Sequence, residues 1–584
     1  MQTSSGDIPA TRPPYDTAER RDGLLVISTA LLLRAFVFAG AIADPVFGMH
    51  RFDEVQFDRV ARALAHGNWS LVQEPFFLSP LWTAALTALY AGWSEKAIWV
   101  LVVQQALGVS VAWMTWRIAR RYVERRTAVA LSILWAACGP ALFYETRLLS
   151  DSIVAWATVL AAWLMIRFRE RPSLHASALM GLALGAAIAA RPNAMLLVPL
   201  GAWVVWSAGS SVARLAWAVR ARLAGAALAG GLLLLAPVFV FNAARGVQAI
   251  SASSGAVNLY IGNHAGADGT WNAPPGWVLK ADTSELLSES RRIAEQAGGQ
   301  PATRSEVNRY WLHRTLDEVA ADPGRLLGLV SRKLLLAVRN EEVADNRTYD
   351  YERQYMGVLS LPVWPGAGLF TALGIPGLVW LSWRRRDPVL GAFGLLLPLV
   401  TFAAFFVVGR YRLPWLPFLA VGVGFTAERV WAAIRTADWA PASRTAAISS
   451  ALSAVAFWPA EPQTYRQDEL LRANDLLNSG LPYESEPHYR ALLASPALAD
   501  SAHWNLARAL LETGRPADAH AVLSRLRALR SGRSNAPGVE EVERVMVGIE
   551  RDLDERRAKL GADRGPALSD RLTREGATAG GSGE

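Results

Sequence analysis

Gly23-Leu-Leu-Val-Ile-Ser-Thr-Ala-Leu-Leu-Leu-Arg-Ala-Phe-Val-Phe-Ala-Gly40 is an apolar run of membrane-spanning length. Shortly beyond it comes Arg51-Phe-Asp-Glu-Val-Gln-Phe-Asp58. Charge beside hydrocarbon is costly and tends to persist where it binds or reacts. The first stretch makes this a membrane chain. The second, with Asp53 and Glu54 side by side, marks where its chemistry is expected.

Similar apolar blocks recur along the 584 residues, of which 52% are hydrophobic and 23 are Trp. The blocks are rich in Leu, Ala, Val and Trp and lack strand alternation, so they read as helices. Backbone groups in lipid must be satisfied within the segment, which gives the same answer. Net charge is +8. Much of the Arg falls in short connections between blocks, which is the mark of cytoplasmic loops and does not call for nucleic acid. Cys138 is the only cysteine, so no intrachain disulfide forms and no Cys-rich metal cluster exists.

Arg20 and Arg21 precede the first run and put residues 1–22 in the cytoplasm as a polar tail. Gly23–Gly40 reads as a retained helix and not a signal peptide. The connections ending in Arg117–Arg126, Arg167–Arg171, Arg214–Arg222, Arg384–Arg386 and Arg429–Arg444 alternate with outer ones. About 10–11 spans result within residues 23–459, depending on whether the weak run Thr445–Trp458 is counted. That run decides the side of the C-terminus. Two outer loops are long, 42–96 and 242–357. In the first, Phe76–Trp93 suits a helix lying in the interface. The second is too long to be incidental and is expected to be mixed in structure.

The tail differs. Leu476-Leu-Asn-Ser-Gly480-Leu-Pro482 returns 34 residues later as Leu510-Leu-Glu-Thr-Gly514-Arg-Pro516, and Ala473/Ala507 and Leu492/Leu526 match as well. Thirty-four is the tetratricopeptide period. Residues 460–562 are expected to form helical repeats, with Val539–Leu560 as a capping helix. Residues 563–584 read as a disordered tail.

Several clusters lie on the outer side. Phe57, Val60, Ala61 and Leu64 make a helical stripe with Asp53 at its head, and Glu54 falls on the flank with Asp58. Asp53 so placed can act as a general base. Asp53 with Gln56 also spells a capping box. Glu145-Thr-Arg-Leu-Leu-Ser-Asp151 occupies a tight connection, where Asp151 either caps the next helix or, with Glu145, contacts substrate. Glu74 is on this side too. Carboxylates alone suit a hard cation, so a divalent metal is the one cofactor candidate, although the spacing defines no ligand set. Arg410-Tyr411-Arg412-Leu-Pro414 and Arg191-Pro192-Asn193 put arginine forks at the membrane boundary, suited to a lipid phosphate or to snorkelling. Asn258–Trp271 offers amides and aromatics for a sugar, Asn263 among them, or an ordinary polar turn. Arg332-Lys333 reads as a second phosphate contact or an interface anchor.

Taken in order, the Asp53-Glu54 loop, Ser79-Pro80-Leu81-Trp82, Arg191-Pro192-Asn193 and Arg410-Tyr411-Arg412-Leu-Pro414 resemble the GT-C glycosyltransferases, in particular the protein mannosyltransferase and aminoarabinose transferase superfamily. The resemblance covers roughly residues 20–435. It implies an all-α polytopic membrane fold and a polyprenyl-phosphate sugar donor. It also implies a site facing the periplasm from a bacterial inner membrane. Asp53 would be the catalytic base with Glu54 beside it, and Asp151 would match a second acid. Arg410, Arg412 and Arg191 would hold donor phosphate, and Asp151, Glu145, Asn263 and Tyr411 would contact substrate. Many members carry Lys-Pro-Pro or His-Pro-Pro where this chain has Ser79-Pro80. Aminoarabinose transferases have a Glu just before those prolines, where this chain has Leu78, which weakens the case for a metal. The acceptor could be protein, lipid or glycan, and the repeat tail could recruit a protein partner. The rivals are an O-antigen polymerase or ligase using a diphosphate-linked donor, and a transporter or scaffold for envelope polysaccharide. A transporter is expected to bury charge mid-span and to show repeated halves.

Overall fold

The computed structural model describes residues 17–69, 72, 74–208, 216–277, 283–385, 387–459, 465–531 and 539–563. Most of the expected cytoplasmic tail and all but the first residue of the expected disordered tail lie outside these, as do Arg214 and Arg386. The chain divides into two compact units, Met1–Glu461 and Pro462–Glu584. Every regular element among the described residues is helical.

The first unit opens with α1 (Thr17–Ile42), α2 (Asp53–Ala65), α3 (Pro80–Gly92) and α4 (Ala97–Ala119). Next come α5 (Arg125–Ala136), α6 (Gly139–Tyr144), α7 (Asp151–Glu170), α8 (Leu174–Ala190), α9 (Val198–Trp206) and α10 (Trp217–Ala243). Then follow α11 (Gly255–Asn263), α12 (Thr283–Gly298), α13 (Arg304–Ala321), α14 (Pro323–Val338) and α15 (Tyr349–Glu352). The unit closes with α16 (Ala367–Arg385), α17 (Pro388–Gly391), α18 (Leu397–Ala404), α19 (Leu416–Thr436) and α20 (Ala440–Ala456). Five of these, α1, α4, α7, α10 and α19, are long and apolar enough to cross a membrane, and Leu174–Ala190, Pro192–Trp206 and Pro388–Ala404 are shorter apolar stretches.

Several expected spans are interrupted, each for a readable reason. The run 127–144 breaks at Cys138, because Pro140 has no N–H to continue the helix and Gly139 N–H turns to the carbonyl of Pro365. The run 389–408 passes through a π turn at Ala392–Leu396. Gly357–Ser360 is a short 3-10 helix, residues 361–366 are irregular, and the long helix there begins only at Ala367. The stretch 242–357, expected to be an outer loop, is helical wherever regular among its described residues, so the expectation of a mixed loop gives way to α11–α15. Phe76–Trp93 resolves into an irregular approach and α3, capped by Ser79 Oγ accepting from Trp82 N–H. Trp82, Leu86 and Tyr90 of α3 pack with Phe57 and Ala61 of α2.

Small residues bring helices together backbone to backbone, the economical packing where lipid supplies no hydrophobic drive. A Cβ on Gly181 of α8 would lie 1.8 Å from the Ala227 carbonyl oxygen of α10, and one on Gly422 of α19 would lie 2.1 Å from that of Gly374 in α16. α20 returns to the end of the bundle that carries Asp53. Asn340 N–H donates to the Ala456 carbonyl (2.8 Å), while its Oδ1 accepts from Gly368 N–H at the start of α16 (3.1 Å). One residue away, the Arg339 carbonyl accepts from Arg412.

The second unit is built from α21 (Arg466–Asn478), α22 (Pro482–Leu492), α23 (Ala499–Glu512), α24 (Pro516–Ser531) and α25 (Val539–Asp563). Its two helix pairs turn alike. Leu481 N–H donates to Leu476 O (3.0 Å) and Arg515 N–H to Leu510 O (2.8 Å), and Gly480 and Gly514 take φ of 76° and 73°. Left-handed backbone is where glycine is favoured, so the 34-residue echo is an echo of turn geometry. Ala473, Leu492, Ala507, Ala519 and Leu526 form the core, with Val542, Met546 and Ile549 of α25 against it.

Candidate active site

α2 begins at Asp53 after a strained step. Phe52 has φ 47° and ψ −113° and makes no side-chain cap. A non-glycine residue held there costs about 1–3 kcal/mol, and such strain gathers at functional sites. The expected Asp53–Gln56 capping box is absent. Gln56 Oε1 instead accepts from Arg59, and it is Glu54 Oε2 that reaches back to the Arg51 N–H (2.9 Å).

Asp53 points inward to Arg410, whose Nη2 donates to Asp53 Oδ2 at 2.7 Å. Arg410 Nε donates to Asp345 Oδ2 at 2.5 Å, and its Nη1 lies 3.6 Å from Asp151 Oδ2. Asp151, the first residue of α7, is wholly buried, and its Oδ1 accepts from Arg191 at 2.9 Å. The Arg191 guanidinium lies 4.1 Å from the centre of the Tyr411 ring. Thus the starts of α2 and α7, the end of α8, the turn at Gly409–Arg412 and the segment 339–352 meet in one buried chain of ions. Burial works against the charge of Arg410, but Asp345, Asp53 and Asp151 overcome it and hold the guanidinium well above the ordinary arginine range. Burial also raises the Tyr411 hydroxyl, to about 12. Asp345 is raised by burial in spite of Arg410, with Asp53 adding to the rise.

Glu54 has a separate destination. It is 1% exposed and pairs with Arg347 at 2.6 Å. Arg347 and Arg147 both meet Glu352, at 3.5 and 2.8 Å, and Arg51 is 3.5 Å from it. The expectation that Glu54 lies on the flank with Asp58 is corrected: Asp58 turns to Arg62 and Tyr90, and Glu54 is internal. Burial pushes the Glu54 carboxyl up, yet Arg347 outweighs it and the net value lies below the ordinary glutamate range.

Three other expected site residues are committed elsewhere. Arg412 is buried, donates to the carbonyls of Arg339 and Glu341, and pairs with Glu342 at 2.6 Å. That leaves the expected phosphate contact without geometric support. Glu145 pairs at 2.8 Å with Arg34 from the middle of α1, in space that a Cβ on Gly108 would fill. Asn263 donates to the carbonyls of Leu259 and Ala404, both at 2.7 Å, and accepts from the buried Lys333 at 2.8 Å. Neither Glu145 nor Asn263 joins the Asp53 chain. Lys333 is held by Asn263 and the Ala403 carbonyl, and burial pushes its amine down to about 8. Among the described residues no group of three or more His, Cys, Asp or Glu is arranged to hold a metal ion. The three aspartates converge on the Arg410 guanidinium, which occupies the place a cation would need.

The sequence reading missed Asp345, Arg347 and Glu352. Residues 339–352 carry Glu341, Glu342, Asp345, Asp350 and Glu352 next to apolar helices, the same signal that singled out Asp53. Arg34, a charge inside an apolar run, was equally legible. Two cavities adjoin the site. A narrow crevice of about 30 Å³ has Arg191, Asn193, Thr401 and Tyr411 among its polar walls and Val154, Phe393, Leu397, Phe402 and Trp415 among its apolar ones. A cleft of about 830 Å³ begins one turn along α2, at Gln56, Phe57 and Arg59, and is also lined by Phe76, Arg291 and Arg304.

Residues 74–241 match the family model described as dolichyl-phosphate-mannose-protein mannosyltransferase. No curated protein matches significantly. A solved structure of the archaeal oligosaccharyltransferase AglB from Archaeoglobus fulgidus, in complex with an inhibitory peptide and a dolichol-phosphate, is similar at 12% identity and a TM-score of 0.39. The alignment covers 80% of this chain and 60% of that one, so this chain spans about 60% of the length of the structure it matches. The matched segment contains Asp151 and Arg191 and stops short of Asp53 and Arg410. Residues 74–241 are thus similar to a protein-mannosyltransferase segment, set in a unit whose regular elements among the described residues are helical, five of them long and apolar enough to cross a membrane.

Proposed function

We propose that the chain transfers a sugar from a polyprenyl-phosphate donor to an acceptor at the periplasmic face of a bacterial inner membrane, with Asp53 as general base. The observation that carries this reading is the buried chain Asp53–Arg410–Asp151–Arg191, assembled from four separate segments. Packing alone does not favour gathering so much charge where desolvation is costly.

In this reading donor phosphate sits against Arg410 and Arg191, at the mouth of the crevice beside Tyr411. Asp53 takes the proton from an acceptor hydroxyl or amine. The acceptor's lone pair attacks the anomeric carbon, and the bond to the phosphate oxygen breaks with its electrons going to the leaving lipid phosphate. The two guanidinium groups offset the charge growing there. The acceptor, whether protein, lipid or glycan, would approach through the cleft along α2. The 34-residue helix pairs of the second unit are tetratricopeptide-like and would recruit a protein partner.

The test offers purified protein a radiolabelled polyprenyl-phosphate hexose beside a diphosphate-linked oligosaccharide. Release of lipid phosphate from the monophosphate donor alone is expected. Turnover of the diphosphate donor alone would move the chain to the polymerase or ligase class. Sugar-lipid that binds and never turns over would favour a scaffold or transporter.

A further inference from the structure

Arg410 meets a carboxylate on each of its three nitrogens, but unequally. Asp345 on Nε is at 2.5 Å and Asp53 on Nη2 at 2.7 Å, while Asp151 Oδ2 stands 3.6 Å from Nη1. That Asp151 oxygen is buried and accepts no hydrogen bond. The buried Tyr144 hydroxyl close by is also without a hydrogen-bond partner. The Nη edge of Arg410 therefore faces underused polar atoms, whereas its Nε edge is fully engaged. Asp345 comes from the segment 339–352, which is fastened on both sides of it. Glu342 pairs with Arg412, the Gly409 N–H donates to the Val343 carbonyl (2.9 Å), and Arg347 pairs with Glu54.

We propose that Arg410 masks Asp53 in the resting protein, and that Asp345 is the positioning residue that lets the mask come off without losing the arginine. This rests on the reading of Asp53 as base. An incoming phosphate monoester competes for the Nη edge, where Arg410 meets Asp53 at 2.7 Å and Asp151 by a longer contact of 3.6 Å. Asp345 keeps Nε and so keeps the guanidinium in place. Asp53 is released from Arg410 only when the phosphate is present. Donor binding then precedes acceptor activation, and the base does not deprotonate an acceptor when there is no sugar to transfer.

The test reads the carboxylate and not turnover, so its outcome is separate from whether the chain is a transferase. The full-length protein in detergent is treated with a water-soluble carbodiimide and an amine. Modification of Asp53 is followed by mass spectrometry, with and without saturating sugar-free polyprenyl monophosphate. In the wild type the lipid is expected to speed Asp53 modification several-fold. In Asp345→Ala the resting rate falls, because Arg410 leans wholly on Asp53 and Asp151, and the lipid no longer raises it. Asp345→Asn, which can still accept from Nε, keeps the lipid-dependent rise. A purely structural role would impair both variants alike. Wild-type modification that is unchanged or lowered by the lipid overturns the proposal, as does an Asp345→Ala protein that behaves like wild type in both conditions.

Discussion

Asp53 and Glu54 are neighbours on one turn of helix, and the structure gives them opposite surroundings. Asp53 enters a place where carboxylates converge on one guanidinium: Asp53, Asp151 and Asp345 around Arg410. Glu54 enters a place where guanidinium groups converge on carboxylates, with Arg347, Arg147 and Arg51 around Glu54 and Glu352. A carboxylate that competes with others for a shared cation can exchange that cation for another anion, and so can be switched. A carboxylate at 1% exposure, set among guanidinium groups that outnumber the acids, is part of the framework. The Asp53 side chain keeps 12% exposure, enough for a small group to reach it. In the proposed function, chemistry falls to one of two adjacent acids and structure to the other.

The sharpest break of this contrast is Glu54→Gln. Removing the nearer carboxylate of a buried cluster leaves Arg347 with the longer contact to Glu352 and costs about 3–5 kcal/mol. Thermal unfolding in detergent should show a large loss, and a protein as stable as wild type would make Glu54 dispensable. Arg412→Lys comes next. It forfeits fork contacts to two carbonyls and Glu342, so stability should fall while the donor KM of the surviving protein stays near wild type. Arg410→Lys keeps a positive charge among three aspartates but loses the fork, so transfer should fall by far more than stability. Equal effects in both assays would erase the distinction between the two arginines. The smallest effect is in pH. Glu54 titrates lower folded than unfolded, so its contribution is complete above the ordinary glutamate range and is lost as pH falls through the depressed value. The stability gap between wild type and Glu54→Gln should therefore narrow as pH drops below about 4.5. A gap that stays constant into strong acid would show that Glu54 acts by shape and not by charge.

The sequence shows which residues border the membrane more readily than what they touch. Asp53, Asp151, Arg191, Tyr411 and Arg410 were singled out because charge and aromatic residues at the end of an apolar run are conspicuous, and the structure brings them together. The same rule swept in Arg412 and Glu145, which stand at equally conspicuous places and spend their charges on Glu342 and Arg34. Sequence position alone cannot separate such cases, because the partners lie about 70 residues away in one case and 111 in the other. The Asp53–Gln56 capping box fits local spacing, but the long-range pull of Arg410 outcompetes it. Residues 339–352 went unread because they sit inside a stretch expected to be a long outer loop, where acidity usually means solvent. The helix pairs of the tail were legible because their turn chemistry is local and repeats. The breaks at Cys138 and Ala392–Leu396 were hidden within runs that hydropathy alone treats as continuous.

The role of Asp53 as base is tested most directly by sugar transfer from a polyprenyl-phosphate hexose by Asp53→Asn protein, beside wild type, with thermal unfolding recorded for both. Asn keeps the size and can still accept from Arg410, but it cannot take a proton. Transfer should fall by about 10²–10⁴-fold with the unfolding transition little changed. An Asp53→Asn protein that transfers sugar at the wild-type rate would contradict that role.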